Sequence, residues 1–244
     1  IPEMEVEVLS SLKEPSANRL TTFNSYALHE KEVYSWASTG RQLYEDYDYA
    51  TGNTKNYTLS LPGIVPEDSV WLTTVFAARS IGASTYYSVA VNGKARGNAT
   101  LASISSDNQY YTRATSASIS TSWLGTESEN TVVTVTHTRP SGTSGRLDYI
   151  ALNDIRSLTL NAPYLTFRSL ASINKETTFV LSGATASTVV WDVTDPANIC
   201  RMEGSFVGGT YTFTIPAGKL REFVAITPEA SGFDTVETVG NIAN

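Results

Sequence analysis

Residues Gly145 to Ser169 read GRLDYIALNDIRSLTLNAPYLTFRS. Three short runs, 147–153, 155–160 and 164–168, are rich in Leu, Ile, Thr and aromatic residues. They are broken first by Asn153-Asp154 and then by Asn161-Ala-Pro163, both turn-forming combinations. The first run alternates, with Leu147, Tyr149 and Ala151 on one face and Asp148, Ile150 and Leu152 on the other. Apolar residues on both faces predict a central sandwich strand rather than an edge. The residues before this stretch read as one β-domain and those after it as a second, smaller one, so the stretch is the seam between them.

Upstream, strand-like runs and turns recur at regular intervals. NYTLSL (56–61) ends at Pro62-Gly63, and VWLTTVFA (70–77) is long and mostly apolar, as a central strand should be. TYYSVAV (85–91) runs into Asn92-Gly93, the strongest short hairpin signal in the chain. Runs at 110–119, 131–137 and 147–153 follow, and a domain of about eight strands, the count of a jelly roll, is expected, six of them named here. No crossover helices separate them, so the pairing should be antiparallel. Downstream, 177–181, 188–193, 210–215 and 222–226 are joined by Ser182-Gly183, Asp195-Pro196, Gly208-Gly209 and Pro216-Ala-Gly218. The expected fold is therefore all-β, an antiparallel jelly-roll-like β-sandwich followed by a smaller β-sandwich domain. The expected divisions are an N-terminal strand segment (1–23), the jelly-roll-like sandwich (24–157), the small sandwich (158–230) and a linker (231–244).

Two further stretches invite a functional reading. EMEVEV (3–8) alternates strictly, which predicts Met4, Val6 and Val8 facing in and Glu3, Glu5 and Glu7 facing out. No His supports these carboxylates, so a charged, aggregation-resistant outer face is favoured over a metal site. Between Phe23 and Tyr49, the spacing of Leu28, Val33, Trp36 and Ala37 fits a short helical stripe with Gly40 as its C′ residue. The following GRQLYEDYDY (40–49) is dense in Tyr and carboxylates. Trp36, Tyr44, Tyr47 and Tyr49 could form a platform on which sugar rings stack, with carboxylates accepting hydroxyl protons. The competing reading is an aromatic plug sealing the end of a sandwich, which the large apolar area of such rings favours.

Composition narrows the function classes. A net charge of −7 and a pI near 4.9 argue against nucleic-acid partners, which demand basic patches. Abundant Ser and Thr, 13 Tyr, 16 Gly and only 2 Met lean toward an extracytoplasmic β-protein. The single cysteine, Cys200, excludes an intrachain disulfide and a multi-Cys metal site. No apolar run reaches the ~18 residues of a membrane-spanning helix. No basic start followed by an apolar core marks a signal peptide. The opening Ile-Pro-Glu suggests a trimmed chain, and the closing VGNIAN (239–244) reads as a cut inside a longer protein.

Catalytic signatures are sparse. A cysteine peptidase needs a thiolate held against an imidazole, and the chain offers Cys200 with only His29 or His137. His137 lies in the alternating series Val133, Val135, His137 and should point into a sheet face, while Cys200 has only Arg201 as an electropositive neighbour. There is no G-x-S-x-G, no G-x-x-x-x-G-K-[ST] and no H-E-x-x-H. On its residues the chain reads as non-catalytic, with no cofactor and no metal. Asp68-Ser-Val70 and Asp234-Thr-Val236 resemble a bacterial O-glycosylation acceptor, and Asn56-Tyr-Thr58 and Asn98-Ala-Thr100 match the N-glycan acceptor pattern, all with low specificity.

A series of motifs resembles the region upstream of the peptidase domain in gingipain-family cysteine peptidases, nearest to the PorU-type sortases of the type IX secretion system. They are His29-Glu30, then Thr39-Gly-Arg-Gln-Leu-Tyr-Glu45, Val89-Ala-Val-Asn-Gly93 and Leu147-Asp-Tyr-Ile-Ala-Leu-Asn153. Leu165-Thr-Phe-Arg168, Val190-Trp-Asp-Val-Thr-Asp-Pro196 and Phe223-Val-Ala through Asn244 complete the series in the family's order. Leu43 stands where the family has Trp, and Asp46 where it has Gly. The resemblance implies a surface-exposed parent whose catalytic His and Cys lie in a peptidase domain outside this chain. No position here matches them. It also implies partners: the protein's own C-terminal peptidase domain, outer-membrane secretion components and cargo. The rival expectation is a carbohydrate-binding jelly-roll module with a glycan as partner, because LDYIAL (147–152) also resembles the last strand of such domains.

Overall fold

The computed structural model describes residues 6–13, 15–37, 42–110, 112–125 and 129–233. In chain order the strands are β1 (Val8–Leu9), β2 (Arg19–Leu20), β3 (Thr22–Glu30), β4 (Thr54–Ser60), β5 (Ser69–Arg79) and β6 (Thr85–Val91). Then come β7 (Lys94–Leu101), β8 (Thr115–Leu124), β9 (Asn130–Thr138), β10 (Ser144–Ser157), β11 (Tyr164–Arg168) and β12 (Thr177–Ser182). The series ends with β13 (Val189–Asp192), β14 (Cys200–Met202), β15 (Ser205–Val207), β16 (Thr210–Ile215) and β17 (Glu222–Ile226). Two one-turn 3-10 helices, Ser106–Asn108 and Leu170–Ser172, are the helical elements among the described residues. The chain is all-β and divides into two compact units, residues 25–156 and residues 1–24 with 157–244.

The unit of residues 25–156 is a two-sheet sandwich with strand orders β3-β10-β5-β8 and β4-β9-β6-β7. Counting β3 to β10 as strands one to eight gives 1-8-3-6 facing 2-7-4-5, which is jelly-roll topology. Period-2 patterning builds its core. β5 turns Val70, Leu72, Phe76 and Ala78 inward, and β9 turns Val133, Val135 and His137 inward. Asn92 and Gly93 both take positive φ (48° and 79°) in the two-residue turn joining β6 to β7, as the Asn-Gly pair predicts. Asn92 Oδ1 also accepts from the Val132 amide at 2.8 Å, tying the turn to β9.

β10 is the centre of this sheet, paired with β5 along its length. The apolar residues on both its faces have a different cause from the one expected. The register with β5 slips between Leu147 and Tyr149, so Asp148 is an extra residue in a β-bulge. Before the bulge Leu147 is inward. After it Ile150, Leu152 and Asp154 are inward, and Tyr149, Ala151 and Asn153 are outward. The bulge exchanges the faces partway along one strand. The runs 147–153 and 155–160 are likewise not two strands, because β10 continues unbroken to Ser157.

The helix expected after Phe23 is absent. Residues 22–30 form strand β3, whose alternation sets Ala27 against the core and leaves Tyr26 and Leu28 exposed. Val33 is also exposed, so the apparent stripe never packed as one face; Gly40 lies outside the described residues. The strand expected at 110–119 begins at Thr115 and runs to Leu124.

The other unit is also a sandwich. One sheet runs β1-β14-β13-β17-β11, with Asn24 of β3 opposite Arg168 of β11, and the other runs β15-β16-β12-β2. Phe167, Phe179, Phe213 and Phe223 form its centre, with neighbouring ring centroids 5.1–6.4 Å apart. Phe23 from the N-terminal segment joins them edge-on against Phe167. β1 and β2 pair in parallel with β14 and β12. Val6 and Val8 are exposed, against their expected inward face, while Glu7 is exposed as expected and Leu9 packs against the core; Glu3, Met4 and Glu5 lie outside the described residues. No helix among the described residues is long and apolar enough to cross a membrane.

Candidate functional site

The Tyr- and carboxylate-rich segment is held against the jelly-roll unit by its backbone. Tyr34 and Tyr44 form an antiparallel bridge, the Glu45 amide donates to the Leu147 carbonyl at 3.0 Å, and the Tyr49 amide donates to the Gly145 carbonyl at 2.9 Å. The segment thereby runs alongside β10, and its side chains enter the end of the sandwich.

Glu45 is the hub. Its side chain is 0% exposed, yet it accepts from the Tyr57 hydroxyl at 2.6 Å, the Lys55 ammonium at 2.7 Å and His29 Nε2 at 3.2 Å. Desolvating a carboxylate costs several kcal/mol. Hydrogen bonds to a charged group contribute about 1.5–3 kcal/mol each, enough in combination to offset that cost. Burial alone would raise the Glu45 pKa; Lys55, Tyr57 and His29 outweigh it and hold the group below its ordinary value. Tyr57 in turn exchanges a hydrogen bond with Tyr49 at 3.0 Å, and burial followed by the Tyr49 field keeps its phenol neutral. The Lys55 ammonium also sits 4.6 Å from the Tyr47 ring centre and 4.9 Å from that of Tyr57.

Asp48 and Arg146 form a second knot. Asp48 accepts from the Ala50 amide at 2.8 Å, the Ser144 hydroxyl at 2.8 Å, the Gly145 amide at 3.1 Å and Arg146 at 3.2 Å. Burial pushes its pKa up, but these donors prevail and lower it. Arg146 donates to the Glu45 and Asp46 carbonyls and lies 3.5 Å from the Tyr34 ring centre. Behind it, Phe76, Tyr87 and His137 stack face to face with centroids 4.3 and 4.2 Å apart. His137 is 1% exposed, and neither ring nitrogen has a hydrogen-bond partner among the described residues. Burial first, and the Arg139 charge second, depress its pKa from 6.5 to about 4, so it is neutral.

Of the residues expected to form a sugar platform, Tyr44 and Tyr49 are buried and Trp36 and Tyr47 half-buried. Tyr49 is 0% exposed and Tyr44 is buried, so neither offers an open ring face. Burial and the Asp148 charge raise the Tyr44 phenol to about 12. Trp36 is half-buried, edge-on to both Tyr34 and Tyr44, and Tyr47 is half-buried under Lys55 with its hydroxyl donating to the Gly52 carbonyl at 2.9 Å. The cluster's rings pack edge to face, Trp36 on Tyr44 and Tyr47 on Tyr49. Sequence reading named its rings but missed Glu45 as their organiser; the signal was a carboxylate flanked by aromatic residues on a chain that must bury them.

Cys200 belongs to one unit and both histidines to the other. The thiol is 3.7 Å from the Glu7 carboxylate and 3.5 Å from the Asn198 carbonyl. Burial and then Glu7 raise its pKa, opposite to what thiolate activation requires. It lines a groove of about 640 Å³ whose walls include Val6, Trp191, Pro196, Ile199 and Val224. Among the described residues no three His, Cys, Asp or Glu side chains converge as metal ligands.

No family model matches the chain, and no curated protein matches it. Among solved structures the chain is similar to dimeric latent PorU from Porphyromonas gingivalis, with a TM-score of 0.76 at 18% sequence identity. That match covers 93% of this chain and 22% of the other, so the chain spans a minor part of that protein's length. The N-terminal CBM22-1-CBM22-2 tandem domain from Paenibacillus barcinonensis Xyn10C aligns over 93% of this chain and 91% of its own. Its TM-score of 0.29 and 10% identity are too low to bear on the fold. The fold of this chain is that of a PorU-like β-region.

Proposed function

We propose that this chain is a non-catalytic β-scaffold of a PorU-like, gingipain-type cysteine peptidase at the cell surface. In this reading it braces the peptidase domain of its parent and contacts outer-membrane secretion components or cargo. The observation that carries the reading is the PorU likeness across nearly the whole chain, combined with motifs in the family's order. The saturated Glu45 and Asp48 clusters support it as well, because their donors and acceptors are spent on one another rather than aimed at a substrate. The test is turnover by the purified chain on casein, short peptide amides and aryl glycosides. None is expected. Hydrolysis that persists through further purification and survives Cys200→Ala contradicts a scaffold role.

A further inference from the structure

The outer face of the sheet β3-β10-β5-β8 has a character none of the clusters above shares. Its register places three rows across β10, β5 and β8: Asn153–Trp71–Ser122, Ala151–Thr73–Ser120 and Tyr149–Val75–Ser118. All nine positions alternate outward, and none carries a charge. Trp71 is 50% exposed, and Tyr26 on β3 extends the same sheet with 62% exposure. Uncharged hydroxyl and amide groups occupy the positions between the rings, including Thr73 and Ser120, whose hydroxyls are 3.4 Å apart.

The sheet sets the spacing. Trp71 and Tyr149 are two rows and one strand apart, roughly 14 Å by strand rise and strand separation. That is a flat span the length of a short oligosaccharide, with a ring at each end and hydroxyl groups along the middle. The flank is acidic: Asp148, beside Tyr149, has its pKa raised by burial first and then by the nearby charges of Glu30 and Glu32. With a chain charge of −7, this disfavours anionic ligands. The exposed Trp71 ring, the half-buried Tyr149 ring, neutral hydrogen-bonding side chains and an acidic margin together match a neutral, hydroxyl-rich ligand, which stacks on rings and donates to oxygens. A protein partner would leave the hydroxyl and amide groups of three rows to be paired one by one.

We infer that the outer face of β10, β5 and β8, with Trp71 and Tyr149 as its stacking rings, binds a neutral glycan. The inference stands apart from the scaffold reading, since it concerns an external surface of the jelly-roll unit and requires no peptidase. The test is affinity electrophoresis of the whole chain in gels containing hydroxyethylcellulose, galactomannan or, as the anionic control, polygalacturonate. At least one neutral polymer is expected to retard the chain and polygalacturonate to leave it unretarded. Trp71→Ala should weaken retention about tenfold, the loss of one stacked ring, with an unchanged melting temperature, while Trp36→Ala should not alter it. Retention by neither neutral polymer overturns the inference, as does retention that persists in Trp71→Ala/Tyr149→Ala. Self-association abolished by Trp71→Glu would assign the face to a second copy and overturn it too.

Discussion

Gly145 shows how tightly the end of the jelly-roll unit is drawn together. It lies on β10 between Asp48, which accepts from its amide, and the Tyr87–His137 stack. A Cβ there would overlap His137 Nδ1 and the Tyr87 hydroxyl, neither of which can withdraw from its stack. Gly145→Ala is therefore expected to cost about 2–3 kcal/mol by overpacking, read as a lower denaturant midpoint with an unchanged slope. His137 supplies a pH signature. Its folded pKa of about 4 lies below the ordinary 6.5, so on acidification the unfolded chain takes the proton first. Stability then falls as pH drops from about 6.5 toward 4, by at most about 3 kcal/mol. His137→Phe should flatten the stability profile over that window. The depressed Glu45 pKa acts lower: its contribution is present above the unfolded carboxylate pKa and is lost as pH falls through the folded one. Glu45→Gln, which removes the charge facing Lys55 and His29, should cost about 2 kcal/mol at neutral pH, measured by thermal or urea unfolding. The inward orientation of His137 was legible from its place in an alternating strand. The role of Glu45 was not, because its partners Tyr57, Lys55 and His29 come from separate strands and loops that only the folded sandwich brings to one point.

At the scale of elements, legibility tracked the period. β5, β6, β9, β12, β16 and β17 are long enough for alternation or flanking turns to mark them, and they lie close to where those signals put them. β10 misled because a bulge at Asp148 mimics a strand buried on both faces. β3 misled because Leu28, Val33 and Trp36 have helical spacing by coincidence while Leu28 and Val33 face solvent. The bulge makes a sharp prediction. Deleting Asp148 leaves Leu147, Ile150 and Leu152 on one face of a straight strand, so the variant should fold. Inserting one residue after Asp148 also restores the alternation, but in a regular strand it slips every later pair with β5 by two residues, so Tyr149 would face Thr73 instead of Val75, and it should destabilise the unit far more than the deletion. Near-ultraviolet circular dichroism of the two variants separates these outcomes.

For the molecule as a whole, the all-β class and a jelly-roll-like sandwich were legible from the recurrence of strand-like runs and turns, although two of its eight strands, β3 and β7, were not marked by any run. The contribution of the N-terminal segment to the later sandwich was not, because β1 and β2 are two residues each and carry no period. Their pairing with β14 and β12 predicts that removing residues 1–20 strips hydrogen-exchange protection from the Thr178 amide, which donates to the Asn18 carbonyl, while β5 amides keep theirs. For the proposed scaffold role the surrounding gene is the most direct witness. Reading the coding sequence past Asn244 should reveal several hundred residues of α/β pattern holding a His and then a Cys in a gingipain-like context. A stop codon directly after Asn244, or a different downstream domain such as a glycosidase, would contradict the peptidase-scaffold role.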